Sequence, residues 1–240
     1  MDYREKFYKN YVTKNTSLLY GKISIDDIKR QFPVWKKYFF DILPVDKNAS
    51  IAELGCGNGG FIYWLRENGY KNVLGVDVSI EQIECAKSFG INDVIHSDLI
   101  NFLKNKENLY DIIFLRDVLE HFRKDEILNV IDLLYKSLKK NGKIIIQTPN
   151  STSLFGSRYR YLDFTHEISF TENSLRQILL MGNFIDMKFF ETAPVIHGFK
   201  SFIRVVLWKI MKFFLRIFLL IEIGSYDKVL TQNIIVIATK

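Results

Sequence analysis

The amino-acid sequence predicts an α/β fold, in which helices cover both faces of a mostly parallel sheet. Between residues 49 and 148, short runs rich in Ile, Val and Leu alternate with stretches whose apolar residues recur at three- and four-residue spacing. Apolar runs without strict alternation are typical of strands buried on both faces of a parallel sheet. Their alternation with helices is typical of a doubly wound sheet. The first five strands are predicted at 49–55, 72–77, 93–98, 110–115 and 142–148.

The helices between these strands are predicted at 60–68, 80–89 and 124–140. Ser79, with Gln82 three residues later, has the pattern of a capping box for the second helix. Asn141 and Gly142 have the pattern of a helix end and are predicted to terminate the third helix. The remaining elements are predicted as a polar and aromatic loop at 151–170, a helix from Thr171, and two more strands at 184–192 and 229–240.

The composition excludes several classes of protein. Of 240 residues, 48% are hydrophobic and 25% are charged, which excludes disordered, collagen-like and disulfide-rich chains. Two cysteines, Cys56 and Cys85, and a charged N-terminus without an apolar leader predict a cytoplasmic protein. The formal charge of +6 is compatible with nucleic acid, anionic lipid or phosphorylated substrates and does not choose among them.

We predict two parts in the chain. Residues 1–48 form an N-terminal helical cap or lid, broken at Pro33, and residues 49–240 form the main domain. A helical insertion at about 193–228 precedes the last strand. Three tyrosines of the cap are candidates for closing over a bound ligand, or for packing the cap on the sheet: Tyr8, Tyr11 and Tyr20.

A glycine-rich loop follows the first predicted strand, in the segment Glu53–Gly60. Glycine lets the strand turn sharply into a helix and lets a ligand approach the backbone closely. Gly55, Gly57 and Gly59 match the GxGxG pattern of enzymes that use S-adenosylmethionine (SAM). Gly55, Gly57 and Gly60 also match the GxGxxG pattern of dinucleotide-binding proteins, so the loop alone leaves both ligands open.

Three acidic residues favour SAM, because Glu53, Asp77 and Asp98 end three consecutive predicted strands. The carboxyl ends of parallel strands meet at the edge of the sheet where ligands bind. Asp77 suits ribose hydroxyls and Asp98 suits the adenine amino group. Glu53 stands where a dinucleotide-binding strand normally has an apolar residue, and an acid there suits a ligand with a cationic amino-acid end. It orders the glycine loop or reaches the ligand's ammonium through water or backbone.

On these motifs, the chain resembles the class I SAM-dependent methyltransferases. It also resembles small methyltransferases encoded with bacterial surface-polysaccharide and capsule genes. The segments that carry this second resemblance are Asn10-Tyr11-Val12, Arg116-Asp117-Val118-Leu119-Glu120-His121, the stretch from Arg160 to Glu167, and Phe170-Thr171-Glu172. The resemblance implies a Rossmann-like, seven-stranded, mostly parallel sheet with an antiparallel last strand. It also implies SAM as cofactor and S-adenosylhomocysteine as product.

The residues predicted to bind SAM are Glu53, Gly55, Cys56, Gly57, Gly59, Asp77, Val78, Ser97, Asp98, Leu99, Arg116 and Asp117. A hydroxyl acceptor must also lose its proton, so we expect a base at the same edge of the sheet. Asp117 and His121, one helical turn apart, are catalytic candidates together with His166, which could meet His121 across the pocket. Alternatively, His121 caps the helix that starts at Lys124.

The predicted acceptor contacts are Tyr11, Arg158, Arg160, Asp163 and His166. A guanidinium suits a phosphate or carboxylate on the acceptor, although the two arginines could equally form a solvated face. Methyl transfer needs no metal, and neither His96, His197 nor the two cysteines have metal-ligand spacing, so we predict that no metal is required.

Residues 199–223 predict a helix that is mostly apolar yet carries Lys200, Arg204, Lys209, Lys212 and Arg216. On a helical wheel these five cations occupy about half of the circumference. No uncharged run reaches the roughly 20 residues that a transmembrane helix needs. Three placements stay open: packing on the domain or on a second copy in a homodimer, contact with an anionic membrane surface at its inner face, or a lid over the acceptor pocket.

The leading interpretation is O-methylation of a sugar, a sugar nucleotide or a related polysaccharide precursor. The alternatives are N-methylation or methylation of another small molecule, a nicotinamide-dependent oxidoreductase, and a protein that binds SAM without turnover. Nucleic acid is not expected as a partner, because the sequence lacks an Asn-Pro-Pro-Tyr motif after strand four. The positive charge also concentrates in 199–223 and the N-terminal cap.

Overall fold

The computed structural model describes residues 2–16, 21 and 23–240. Among these residues, seven strands form one sheet in the order β3-β2-β1-β4-β5-β7-β6. The strands are β1 Ser50–Leu54, β2 Asn72–Asp77, β3 Val94–His96, β4 Tyr110–Arg116, β5 Leu138–Pro149, β6 Ile185–Glu191 and β7 Asn233–Thr239. Strand β7 runs antiparallel to both of its neighbours, β5 and β6, and the other described strand pairs are parallel. The predicted seven-stranded sheet with an antiparallel last strand is confirmed.

Helices flank both faces of this sheet. They are α1 Tyr3–Tyr8, α2 Ile25–Arg30, α3 Phe32–Phe39, α4 Gly60–Glu67, α5 Ile80–Ser88, α6 Leu99–Leu103, α7 Lys124–Ser137, α8 Gly156–Arg160, α9 Glu172–Met181 and α10 Phe199–Ile223. Shorter helical turns are π-helical Val12–Thr16 and the 3-10 segments Phe40–Ile42 and Leu119–His121.

Two apolar cores lie on opposite faces of the sheet. On one face, α2 to α5 pack on the strands through side chains that include Trp35, Phe39 and Phe61; the Phe61 ring meets those of Trp35, Phe39 and, on β4, Phe114 edge to face. On the other face, α6, α7 and α9 cover the sheet with aliphatic side chains. The predicted cap therefore has two kinds of structure: residues 25–42 belong to the core, while α1 and the turn after it lie over the carboxyl edge of the sheet.

Two local predictions were wrong. Ser79 occupies the N-cap of α5 as predicted, but the capping box with Gln82 is absent: the Ser79 hydroxyl accepts no capping bond, and its backbone N–H donates to Asp77 Oδ1 at 2.8 Å rather than to Gln82. The third long helix ends at Ser137 rather than at Asn141, because Leu138 already pairs with Tyr110 of β4. Asn141 has a φ of +63° and lies in an irregular part of β5 where the register with β4 shifts.

The predicted helix at 199–223 is confirmed as α10. In the part of the chain that the structure describes, no helix is long and apolar enough to cross a membrane.

Candidate active site

A cavity of about 380 Å³ opens at the carboxyl ends of β1, β2, β3 and β4. Its lining includes ten residues that the sequence predicted for the ligand or the chemistry: Tyr11, Gly55, Gly57, Asp77, Val78, Ser97, Asp98, Leu99, Asp117 and His121. Residues of the N-terminal segment close the cavity from above, and these are Asp2, Arg4, Glu5 and Tyr8 together with Tyr11. None of the described lining residues comes from α10, so the structure does not support a lid formed by 199–223.

The glycine loop forms the floor of the cavity. Gly55, Gly57 and Gly59 have φ values of +78°, +53° and +73°. Residues other than glycine rarely adopt these backbone conformations. At Gly55 the space is also closed, because a Cβ atom there would lie 2.2 Å from Val118 Cγ2. The backbone N–H groups of Gly55 and Cys56 donate to the Val76 carbonyl at 2.7 and 3.0 Å, which holds the bend against β2.

Asp77 is fixed beside this bend by two backbone donors. Its Oδ2 accepts from the Gly57 N–H and its Oδ1 from the Ser79 N–H, both at 2.8 Å. Burial raises the pKa of this carboxyl, while the two N–H groups lower it. Each oxygen keeps a further lone pair, so a carboxylate held in this way can accept hydrogen bonds from ribose hydroxyls.

The charge of the lining distinguishes the two ligands that the glycine pattern left open. Six carboxylates line the cavity: Asp2, Glu5, Asp77, Asp98, Asp117 and Glu126. Arg4 also lines the cavity, but it is already paired with Asp2 at 2.8 Å and with Glu126 at 2.7 Å. An acidic lining disfavours the pyrophosphate of a dinucleotide and suits the cationic sulfonium and ammonium groups of SAM. The residues present therefore fit SAM.

Glu53 and Arg116 lie outside this lining, paired with each other. Arg116 Nε and Nη2 donate to Glu53 Oε1 at 2.8 and 2.6 Å, and the guanidinium lies 4.2 Å from the centre of the Phe61 ring. Glu53 is fully buried; burial raises the pKa of its carboxyl and Arg116 opposes that shift. The pair joins β1 to β4 beneath the glycine loop, where Glu53 was predicted to order the loop or to reach the ligand through water or backbone; its contact with the cofactor stays a prediction.

Cys56 and Gly59, also predicted to touch the cofactor, lie outside the lining. The Cys56 thiol is buried against Gly75, where an added Cβ would approach the sulfur to 2.7 Å. Gly59 begins α4, and an added Cβ there would meet Ile91 and Ala86 rather than the cavity. These two residues pack the glycine loop against the core, on the side away from the cavity.

Asp117 follows β4 in a left-handed backbone conformation, with a φ of +56°. Its carboxylate accepts hydrogen bonds from Gln147 Nε2 at 2.8 Å and from Asn233 Nδ2 at 3.3 Å. Although solvent reaches Asp117 through the open cavity, the surrounding protein raises the pKa of its carboxyl. Gln147 and Asn233 come from β5 and β7, so the sequence signal for them was only their position near the carboxyl edge.

His121 and His166 lie against each other, with ring centres 4.7 Å apart, which confirms their predicted proximity. Burial and the neighbouring His166 lower the pKa of His121 to about 4, so its ring is neutral near pH 7. The helix α7 begins after Arg123, so His121 is not its cap. The buried Glu120 beside it was missed by the sequence reasoning; burial and the charge of Asp117 raise the pKa of this carboxyl well above its usual range.

The loop after β5 is fastened by the residues predicted to bind the acceptor. Arg160 donates to the backbone carbonyls of His166 and Glu167. Asp163 accepts from the Tyr11 hydroxyl at 2.8 Å, and Arg158 is exposed. None of Arg158, Arg160, Asp163 and His166 lines the cavity, so their contact with an acceptor stays a prediction.

Residues 28–184 match the protein family described as "Methyltransferase domain". The chain belongs to this family. The methyltransferase is 29% identical over 114 residues to phosphoethanolamine N-methyltransferase 3 of Arabidopsis thaliana, across 46% of the chain and 23% of that relative. It is 31% identical over 106 residues to the tRNA U34 carboxymethyltransferase of Sulfurimonas denitrificans, across 42% of the chain and 35% of that relative. The matches thus span about a quarter to a third of these relatives.

Solved structures share the whole fold. A SAM-dependent methyltransferase from Archaeoglobus fulgidus superposes with a TM-score of 0.61 and 23% identity, covering all of both chains. Phosphoethanolamine N-methyltransferase 2 of Haemonchus contortus, in complex with phosphomonomethylethanolamine and S-adenosylhomocysteine, gives a TM-score of 0.62 at 15% identity, over 97% of this chain and 60% of the other. With the family match, this gives the chain a methyltransferase domain with the Rossmann-like fold.

The N-terminal segment of the methyltransferase ties the cavity roof to three parts of the domain. Arg4 bonds Glu126 of α7, the Val12 N–H donates to Glu81 of α5 at 2.8 Å, and Phe7 stacks on Phe164 at 5.4 Å. Tyr8 and Tyr11 face the cavity from this roof, and Tyr20 lies outside the described residues. These contacts hold the N-terminal segment against the domain, and its function as a lid stays a prediction.

Replacing Asp77 by alanine should abolish measurable SAM binding, because the variant loses the carboxylate that faces the cavity. We expect no heat of binding in titration calorimetry, while circular dichroism shows a folded protein. Asp132→Ala, on the exposed side of α7, is the control and should bind SAM normally. Normal affinity in Asp77→Ala would show that this carboxylate does not hold the cofactor.

Replacing Arg116 by methionine should lower the free energy of unfolding by about 3–5 kcal/mol, because Glu53 would stay buried without its partner. Urea unfolding measures the loss. Arg176→Met removes a surface pair with Glu172 and should cost less than about 1 kcal/mol. Equal losses in the two variants would contradict a structural role for the buried pair.

Proposed function

We propose that this methyltransferase methylates a hydroxyl oxygen of a sugar, a sugar nucleotide or a related precursor of a surface polysaccharide. The observation that carries the proposal is the neutral His121 ring beside the Asp117 carboxylate at the cavity wall. A hydroxyl acceptor needs a group that takes its proton, and both side chains carry atoms that can accept one. The choice of a sugar acceptor rests on the resemblance of the segments around Tyr11, His121 and His166 to polysaccharide-cluster methyltransferases.

The protein's own residues have three tasks in this reaction. When bound, SAM supplies an electrophilic methyl group on a sulfur that is already a good leaving group. Asp77 and the glycine loop hold the cofactor, and the N-terminal segment excludes water from above. At the far wall, His121 or Asp117 takes the acceptor's hydroxyl proton. Most of the catalytic effect then comes from holding the acceptor oxygen in line with the methyl group of SAM.

A nitrogen acceptor is the alternative, because several relatives are named phosphoethanolamine N-methyltransferases. Those two alignments cover 46% of this chain and less than a quarter of each relative, so they do not decide the acceptor. Incubation with labelled SAM and separate pools of sugar nucleotides, polysaccharide precursors, phosphoethanolamine and tRNA distinguishes the acceptors by mass spectrometry. We expect O-methyl products in a sugar pool. Methylation confined to phosphoethanolamine or tRNA would refute the proposal.

Replacing His166 by alanine should reduce turnover at least tenfold while SAM affinity stays near that of the unchanged protein, because His166 contacts His121 and lies outside the cofactor pocket. Steady-state rates and calorimetry measure the two quantities. His197→Ala, at an exposed position before α10, should alter neither. An unchanged rate in His166→Ala would show that His166 takes no part in binding or deprotonating the acceptor.

We also propose that α10 binds the surface of an anionic membrane at its cytoplasmic face. One stripe of the helix is turned toward the domain and is at least partly buried: Ser201, Val205, Trp208, Lys212, Leu215, Arg216 and Leu219. The opposite face is wholly apolar and exposed, with exposed fractions between 37% and 81%: Phe202, Ile203, Val206, Leu207, Ile210, Phe213, Phe214, Ile217, Leu220 and Ile221.

The positions of the cations support a lipid surface over a second copy of the chain. The predicted basic half of the helix is not a solvated face, because Lys212 pairs with Glu191 at 2.6 Å and Arg216 stacks on Tyr226. At 100° per residue, Lys200 and Arg204 lie along one margin of the apolar face and Lys209 along the other. If the apolar face enters a bilayer, cations along its two margins lie at the level of the anionic headgroups and can pair with them. A lipid-linked acceptor would suit an enzyme held there.

Sedimentation with vesicles tests this surface. The protein should sediment with vesicles that contain phosphatidylglycerol, and less with pure phosphatidylcholine or at high salt. The double substitution Ile210→Glu and Ile217→Glu should abolish binding, whereas Val45→Glu, at an exposed apolar position elsewhere, should not. Absence of vesicle binding, or a dimer in light scattering that the double substitution dissociates, would show that a bilayer does not cover this face.

A further inference from the structure

Three groups with metal-binding side chains meet beside the cavity, although the sequence predicted no metal. One carboxylate oxygen of Glu120 and one ring nitrogen each of His121 and His166 lie within 4.8 Å of one another. His121 and His166 are 45 positions apart, so their spacing carried no signal. The fold brings them together because the loop after β5 returns to β4, where the backbone N–H of Glu167 bonds the Glu120 carbonyl at 2.8 Å.

Hydrogen bonding fixes which nitrogen of His121 is free for a ligand. The Thr165 hydroxyl donates to Asp163 Oδ1 at 2.7 Å, because a carboxylate can only accept. The same hydroxyl oxygen lies 2.9 Å from His121 Nδ1, so it must accept the Nδ1–H. The neutral His121 therefore carries its proton on Nδ1 and has a lone pair on Nε2.

Hydrogen bonding also fixes the tautomer of His166. Its Nδ1 lies 3.0 Å from the Tyr159 carbonyl oxygen, which can only accept, so a neutral His166 also carries its proton on Nδ1. A histidine whose Nδ1–H is held by an oxygen, with Nε2 left free, has the arrangement that metal-ligating histidines show in proteins.

Glu120 gives the second, independent observation. Its side chain is fully buried, and Oε2 accepts from the Thr148 hydroxyl at 3.0 Å. Oε1 is also buried, and it has no hydrogen-bond partner among the described residues. Leaving a buried carboxylate oxygen unpartnered is costly. A cation held by Glu120 and the two histidines would compensate this buried, incompletely bonded carboxyl group.

We propose that Glu120, His121 and His166 bind a divalent transition-metal ion such as Zn²⁺ or Mn²⁺. Two imidazole nitrogens and one carboxylate suit these ions and leave coordination positions open. Metal–ligand bonds are about 2.0–2.2 Å, so binding needs only a small inward movement of the three groups.

The ion would act on the acceptor side of the pocket. Because His121 lines the cavity, an open coordination position there can receive an acceptor oxygen. The bound hydroxyl would then lose its proton to Asp117, with the oxygen staying on the metal and no change of oxidation state. In that case His121 and His166 are ligands rather than bases. This role rests on the proposed oxygen methylation, whereas binding of the ion does not.

Metal binding by the full chain tests the inference without an activity assay. The protein is stripped with a chelator, dialysed against Zn²⁺ or Mn²⁺ alone, and its metal content is measured by mass spectrometry. We expect about one ion per chain, a loss of binding in Glu120→Gln and His166→Ala, and full binding in His197→Ala. Co²⁺ absorption reports nitrogen and oxygen ligation in the unchanged protein and in the near-isosteric Glu120→Gln, and circular dichroism checks that each variant is folded.

Two outcomes separate this inference from the proposed function. No bound ion in the unchanged protein, or equal binding in folded Glu120→Gln, would overturn the metal site and leave oxygen methylation standing. A bound ion that depends on Glu120 and His166, in a protein that methylates only nitrogen, would confirm the site and refute the proposed acceptor.

Discussion

The bend between β1 and α4 is the constraint on which the site depends. Three glycines there adopt left-handed backbone conformations, and Gly55 packs so closely on Val118 that a side chain has no room. The Gly57 N–H is bound to Asp77, which couples the end of β1 to the end of β2. One local geometry therefore sets both the floor of the cavity and the position of the Asp77 carboxylate, which we expect to bind the cofactor's ribose.

Electrostatics divide this region into two layers. Beneath the loop, Arg116 neutralises Glu53 and aromatic rings enclose the pair. We therefore expect this pair to hold the glycine loop in place rather than to select the cofactor by charge. Above the loop, carboxylates such as Asp77, Asp98 and Asp117 line the cavity with few cations to balance them. A sulfonium nucleoside with an ammonium group is the ligand whose charge such a cavity favours, and the family match agrees with that conclusion.

Much of this was readable from the sequence, because apolar runs and glycine spacing depend on local rules. The strands, the antiparallel β7 and the residues of the glycine loop follow from such patterns or from the resemblance they carry. The pairing of Glu53 with Arg116 did not, because it depends on the register between β1 and β4. The cluster at Glu120 needed the path of the loop after β5. For α10, a helical wheel shows two faces but cannot tell which one the domain covers.

Binding of SAM and of NADH to the same purified protein tests the central claim most directly. The account predicts that titration calorimetry detects SAM, that S-adenosylhomocysteine competes with it, and that NADH gives no heat. Tight binding of NADH without binding of SAM would contradict it, because a pyrophosphate would then occupy the acidic cavity.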